Sequence, residues 1–163
     1  MNIYEKFILR SAWLAAVLYG IAGIMLTYEV GARYLFIAPT SWAAELSQLT
    51  LIYGTLLAMP WALQQRRHIQ INAIIHKLSD INQRRIGIIM MITLIVFSLY
   101  VVIYGFDIFF DSFQRGRTTG SLLDLPAWIA ELPVPFCFLM LIVQAVFEIK
   151  KMVSGITPPS GEH

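Results

Sequence analysis

The sequence predicts an all-α membrane protein: four transmembrane helices, both termini cytoplasmic, and a short interfacial amphipathic helix between helices 2 and 3. Three observations carry the prediction. Four long stretches, Ser11–Tyr28, Leu46–Gln65, Ile86–Phe106 and Leu132–Phe147, contain no Lys, Arg, Asp or Glu. The chain is 58% hydrophobic and 13% charged, against about 25% charged in a soluble domain. Its basic residues are unevenly placed along the connections.

A bilayer core about 30 Å thick takes roughly 20 apolar residues per crossing helix, which places the spans at about 11–30, 42–64, 86–106 and 127–149. The fourth apolar stretch is short by itself. It reaches crossing length when Ala127–Glu131 joins its helix, or when it runs past Glu148 with Lys150 snorkelling to the surface. Residues 1–151 then form a single transmembrane domain, and the Gly/Pro/Ser-containing tail 152–163 is expected to be disordered.

Cytoplasmic loops collect Lys and Arg. Lys6, Arg10, Arg66, Arg67, Lys77, Arg84, Arg85, Lys150 and Lys151 fall at the end that carries both termini, and only Arg33, Arg115 and Arg117 at the other. Nine against three places both termini inside. Trp13 and Trp61 then sit at the inner interface, Trp42 and Trp128 at the outer. With net charge +2 explained by topology, nucleic acid is excluded as a partner and membrane lipid is expected.

In the first span Ala12, Ala16 and Gly20 recur every four residues, and in the second Thr50, Gly54 and Ala58 do the same. Small residues let helices approach closely in lipid, either within one bundle or against a partner subunit. Val30-Gly31-Ala32 has the spacing of a signal-peptidase site, but the apolar run before it exceeds an h-region and reads as a span. Pro60 withdraws a hydrogen bond near the inner end of the second helix.

Glu29 and Arg33 stand four apart with the acid first, the favoured order for a helical ion pair, so the first helix should run to about Phe36. Pro39-Thr40-Ser41 breaks the chain, with Thr40 or Ser41 as N-cap of the next helix. Glu45 falls in or near its first turn, favoured there by the dipole, or reaches Arg33 across the hairpin. After Arg67 and His68, the residues Ile71, Ile74, Ile75 and Leu78 follow helical spacing and predict the interfacial helix, with Ser79 capping the next one.

The third connection holds Asp107, Asp111, Arg115, Arg117 and Asp124, as a solvated loop or as a docking surface. Asp124-Leu125-Pro126 reads as a helix start with Pro at N1, Pro133 and Pro135 bend or restart that helix, and Glu131 lies near the outer interface, solvated or paired. Cys137, the single cysteine, reads as a buried apolar residue. There is no GxxxxGK, no Cys pair, no HExxH, no histidine in the apolar stretches and no acid or base in mid-span. ATPase, thiol redox, zinc hydrolase, haem and proton-relay functions are thereby disfavoured. The residues by themselves describe a scaffold, not an enzyme; a stand-alone four-helix transporter is the alternative.

The run from Glu29 through Arg33 and Pro39 to Trp42-Ala43-Ala44-Glu45-Leu46 resembles the first hairpin of the small, DctQ-like membrane subunit of tripartite ATP-independent periplasmic (TRAP) transporters. Arg67-His68-Ile69 and Leu122-Leu123-Asp124-Leu125-Pro126-Ala127-Trp128, followed by Pro133 and Pro135, resemble the inner loop and fourth helix of the same family. Ala44 stands where a second acid is frequent, and Asn72 where Asp is. The resemblance implies a bacterial inner-membrane subunit that scaffolds a large permease subunit and helps dock a periplasmic binding protein. It also implies sodium-coupled uptake of an organic acid such as a dicarboxylate or sialic acid. Sodium and substrate would bind the large subunit, so this chain has no cofactor, metal or substrate site. On the same resemblance Arg33, Trp42, Glu45, Arg67 and His68 are structural or subunit-contact positions.

Overall fold

The structure, a computed structural model, describes residues 3–38, 40, 42–65, 80–121 and 123–154. Among them it contains five helices: α1 (Ile3–Leu35), α2 (Ala43–Gln64), α3 (Asp80–Arg115), α4 (Ala127–Glu131) and α5 (Pro133–Val153). Four helical segments, with α4 and α5 taken together, are long and apolar enough to cross a membrane, as the four apolar stretches predict. Arg67, His68, Ile71, Ile74, Ile75, Leu78 and Ser79 lie outside the described residues.

α1 packs along α2, α3 along α5, and α2 along α5, so two helical hairpins meet through α2 and α5 while α1 and α3 occupy the flanks. The first turn of α1 and the last turns of α5 lie at one end, where the Tyr4 and Phe147 rings are 5.0 Å apart and Lys151 reaches Glu5 at 3.6 Å. This is the terminal end; the opposite end, with the α1–α2 and α3–α4 connections, is the hairpin end.

The face that α1 turns to its neighbours follows a seven-residue repeat. Ile8, Ser11, Ala15, Ala22, Glu29 and Ala32 are buried, with Leu18 and Met25 half-buried between them, the a/d spacing of a coiled coil. Against this face Gly54 comes so close that a Cβ there would stand 3.4 Å from the Ala15 carbonyl oxygen and 3.5 Å from the Leu18 Cβ. Gly54 in the Thr50/Gly54/Ala58 stripe therefore serves packing within the chain. The other small stripe does not: Ala16 and Gly20 are exposed, and nothing lies within 4 Å of a Cβ built on Gly20.

α3 and α5 hold together with larger groups. Leu63, Met91, Leu141 and Ala145 form the buried core, flanked by Leu94, Ile95, Phe138 and Met152. Phe97 meets Phe138, and Phe106 meets Phe136, edge to face.

Two sequence expectations change. The third helix runs to Arg115 and not to about Phe106, so Asp107, Asp111 and Arg115 are helical and not in a loop. The extension is held by Phe109 and Phe113 against Trp128, and by the i,i+4 pair Asp111–Arg115 at 2.5 Å. Pro126 is the N-cap of α4 and not N1. α1 ends at Leu35, close to the expected Phe36, with the Ala38 N–H bonded to the Ala32 carbonyl at 3.0 Å and Ile37 at φ +52°. The bond spans one residue more than the 6→1 bond of a Schellman cap and closes the helix end around a left-handed Ile37, where glycine is usual. The fourth crossing does include Ala127–Glu131, since Leu132 donates to the Trp128 carbonyl at 2.9 Å and carries the helix into α5. Pro133 and Pro135 lie in the first turn of α5, where no helical N–H is required.

Candidate functional site

The hairpin end is organised by carboxylates, each rooted on one element and accepting hydrogen bonds from another. Glu29, on the buried face of α1, accepts from Arg33 at 2.7 Å, the predicted pair. Its other oxygen accepts from the Thr40 backbone N–H at 3.0 Å and from the Thr40 hydroxyl. Thr40 is therefore not the N-cap of α2. That position is Trp42, which makes no side-chain cap bond and stacks on Tyr28 with ring centroids 5.8 Å apart. Thr40 instead ties the α1–α2 connection down onto α1, because a carboxylate in a nearly closed site needs several donors.

Glu45, in the first turn of α2, does not cross to Arg33. It turns to the α3–α4 connection, accepting from the Ser121 hydroxyl at 2.6 Å and the Leu123 N–H at 3.3 Å. Ser121 in turn shares a 2.6 Å hydrogen bond with Thr119. The connection it holds is itself folded: Thr118 and Pro126 form an antiparallel bridge, Thr119 donates to the Leu125 carbonyl at 2.8 Å, and Ala127 to that of Arg117 at 2.9 Å. Gly116 and Gly120, at φ +60° and +62°, make its turns. Arg115 and Arg117 both pair with Asp111, at 2.5 and 2.8 Å, and both guanidiniums stay more than half exposed.

Glu131, in α4, accepts from the buried Ser112 hydroxyl of α3 at 3.0 Å, while its second oxygen is buried without a hydrogen-bond partner among the described residues. Glu131 is thus paired, as one of the sequence alternatives had it. Tyr53 donates to the Ile129 carbonyl at 2.6 Å and ties α2 to α4. The result is a chain of links: Arg33 and Thr40 through Glu29, then Glu45 to Ser121, then the bridged connection to α4.

Residues 22–155 match the family model described as Tripartite ATP-independent periplasmic transporters, DctQ component. The chain belongs to this family. It is the small membrane component of a TRAP transporter, a multi-pass membrane protein and a transporter component, not an enzyme. A comparison with curated proteins gave no match. Among the described residues no three His, Cys, Asp or Glu gather into a group that would hold a metal ion.

The DctQ component has a second polar cluster at the terminal end. Gln144 and Glu148, both buried on α5, share a 3.1 Å hydrogen bond. Lys151 lies 3.5 Å from Glu148 and 3.6 Å from Glu5, and Tyr4 donates to the Met140 carbonyl at 3.0 Å. Sequence reasoning had Arg33, Trp42 and Glu45 at the hairpin end but missed Ser112, Thr119 and Ser121, whose short hydroxyls carry no periodic signal, and the Gln144–Glu148 pair, whose i,i+4 spacing was visible.

Proposed function

We propose that this DctQ component is the static scaffold subunit of a sodium-coupled, binding-protein-dependent transporter for an organic acid, a dicarboxylate or a sialic-acid-like molecule, in a bacterial inner membrane. The observation that carries the scaffold reading is the openness of the helices. At most 44% of the residues in any of the four apolar windows are buried inside the chain, and whole flanks of α1 and α3 present large apolar side chains outward, among them Trp13, Val17, Ile24, Val96, Tyr100 and Ile103. A protein of this kind has membrane-facing surface to give to a many-helix permease subunit. In this reading the nine-to-three distribution of basic residues puts both termini in the cytoplasm and the hairpin end in the periplasm. Residues 1–151 act as one membrane domain, and Ile71, Ile74, Ile75 and Leu78 lie along the inner interface.

The bridged 116–126 connection, held by Glu45 and offering exposed Arg115 and Arg117, then faces the side from which a periplasmic binding protein arrives. Arg33, Trp42 and Glu45 set the shape of that face, Arg67 and His68 belong to the inner one, and sodium and substrate bind the large subunit. The test is affinity purification of the tagged chain in mild detergent with mass spectrometry of its companions. Recovery of a many-helix permease in about equal amount is expected. Recovery of the chain alone as a uniform oligomer overturns the scaffold reading in favour of a stand-alone transporter.

A further inference from the structure

One side of α3 is a seam that the rest of the chain leaves uncovered. Ile89, Thr93, Val96, Tyr100, Ile103 and Asp107 are all exposed and alternate at spacings of four and three, the a/d pattern that keeps one side of a helix turned to a single neighbour. α5 meets a different side of α3, at Met91, Leu94 and Ile95.

Two polar groups on the seam are left open. The first is the hydroxyl of Tyr100, whose ring lies 4.3 Å from that of Tyr104. Tyr4, Tyr19 and Tyr53 each find a hydrogen-bond partner within the chain, whereas the Tyr100 hydroxyl has none among the described residues. Tyr100 is nine residues, about 14 Å of helix, from Phe109, whose ring meets Trp128, and tryptophans mark the membrane boundary. In a hydrocarbon core about 30 Å thick Tyr100 is therefore near the middle, too deep to reach a headgroup, and acyl chains offer a phenol no acceptor. The second is Asp107, one heptad further along the seam. Asp111, one turn on, is held by Arg115 and Arg117, whereas Asp107 has no ion-pair partner among the described residues. The open flank of α1 has neither feature. Its Tyr19 hydroxyl shares a hydrogen bond with Thr55, its Thr27 donates to the Gly23 carbonyl, and no charged residue stands between Arg10 and Glu29.

We propose that this seam of α3, and not the flank of α1, receives a transmembrane helix of the permease subunit. That helix presents a hydrogen-bond acceptor to Tyr100 and a Lys or Arg to Asp107, about 10 Å apart along its axis. The proposal rests on the scaffold reading and adds to it the face and the chemistry of the contact. Lipid matches Ile89, Val96 and Ile103 but leaves a phenol unpaired in mid-bilayer. A second copy of this chain in the same orientation brings Asp107 against Asp107 at one depth, a like-charge contact that costs affinity. A partner helix carrying a cation answers both groups, and polar pairs of this kind hold membrane helices together.

The photoreactive residue p-benzoylphenylalanine, placed singly at Val96 or Ile103 on the seam and at Val17 or Ile24 on α1, tests the face; all four positions are more than half exposed. Cells producing the tagged chain with its permease subunit are irradiated before lysis, and the cross-linked species are identified by mass spectrometry. The expected result is joining to the permease subunit from Val96 and Ile103 and not from Val17 and Ile24. With the permease subunit copurified, three outcomes overturn the choice of face and leave the scaffold reading standing: cross-links from α1 alone, cross-links from the seam to a second copy alone, or none from the seam. Absence of the permease subunit from both the purification and the cross-links overturns the two together. Asp107→Asn should weaken retention of the permease subunit in a detergent titration about tenfold, as for one charge-assisted hydrogen bond. Tyr100→Phe should weaken it about threefold, as for a neutral bond between membrane helices. Neither should move the SDS denaturation midpoint of the purified chain, because neither group bonds to the rest of it. Wild-type retention in both variants overturns the assigned chemistry.

Discussion

The two helical hairpins are held by different means. α1 and α2 approach through small residues, with Ala15 and Ala22 on one side and Gly54 on the other. α3 and α5 meet through Met91, Leu141 and a set of phenylalanines. In water the second interface would be much the stronger because it buries more apolar area. In lipid, separated helices remain in an apolar solvent, so area counts for little and close packing for much. The comparison teaches that the α1–α2 interface, poor in large side chains, is the one more sensitive to shape.

That difference can be broken most sharply at Gly54. With the Ala15 carbonyl oxygen 3.4 Å from a Cβ at this position, Gly54→Leu must push α1 off α2, at a cost of about 3 kcal/mol, the upper range for overpacking. Denaturation by SDS followed by tryptophan fluorescence should show it, while Gly20→Leu, on the open side of the same helix pair, should leave the midpoint within about 0.5 kcal/mol of wild type. In the other hairpin Leu141→Ala empties a filled position. A water-soluble core would lose about 2–5 kcal/mol. Here the transfer part is absent, so a loss of about 1–2 kcal/mol is expected, the cavity and dispersion part alone. A Leu141→Ala loss larger than that of Gly54→Leu would reverse the comparison.

A third variant moves from the spans to the link between the hairpins. Glu45→Ala removes the acceptor for Ser121 and Leu123, and half-exposed charge-assisted bonds of this kind predict a loss of about 1.5 kcal/mol. It should also release the 116–126 connection, which amide hydrogen exchange at Thr119 and Ala127 would report as loss of protection. Unchanged exchange there would mean that the bridge between Thr118 and Pro126 holds by itself.

How much of this was legible depends on the range of each signal. The spans and the Glu29–Arg33 pair could be read because hydropathy and i,i+4 spacing are local. The packing face of α1 could not. Its a/d positions hold Ile8, Ser11, Ala15, Leu18, Ala22, Met25, Glu29 and Ala32, which show no contrast of hydropathy within a segment apolar all round, so the conspicuous Ala12, Ala16, Gly20 stripe drew attention to the wrong side. The length of α3 was obscured by Asp107 and Asp111, which end an apolar window without ending a helix. The partners of Glu45 lie 76 and 78 residues away, a pairing that no local pattern encodes.

The smallest effect expected is a gain, at the tip of the small-residue hairpin. Ile37 sits at φ +52° and is 87% exposed, so a β-branched side chain occupies the left-handed region while packing on little. That conformation costs a non-glycine residue about 1–2 kcal/mol, and glycine adopts it freely, although glycine also loses about 0.4–1 kcal/mol more through the flexibility of its unfolded chain. Ile37→Gly should therefore stabilise α1–α2 by roughly 0.5–1 kcal/mol, the difference of the two. The closing bond from Ala38 to Ala32 should remain. SDS denaturation should show a higher midpoint with unchanged helix content. A lower midpoint would mean that the exposed isoleucine is anchored by lipid in the folded state, and that burial at the interface outweighs the backbone strain.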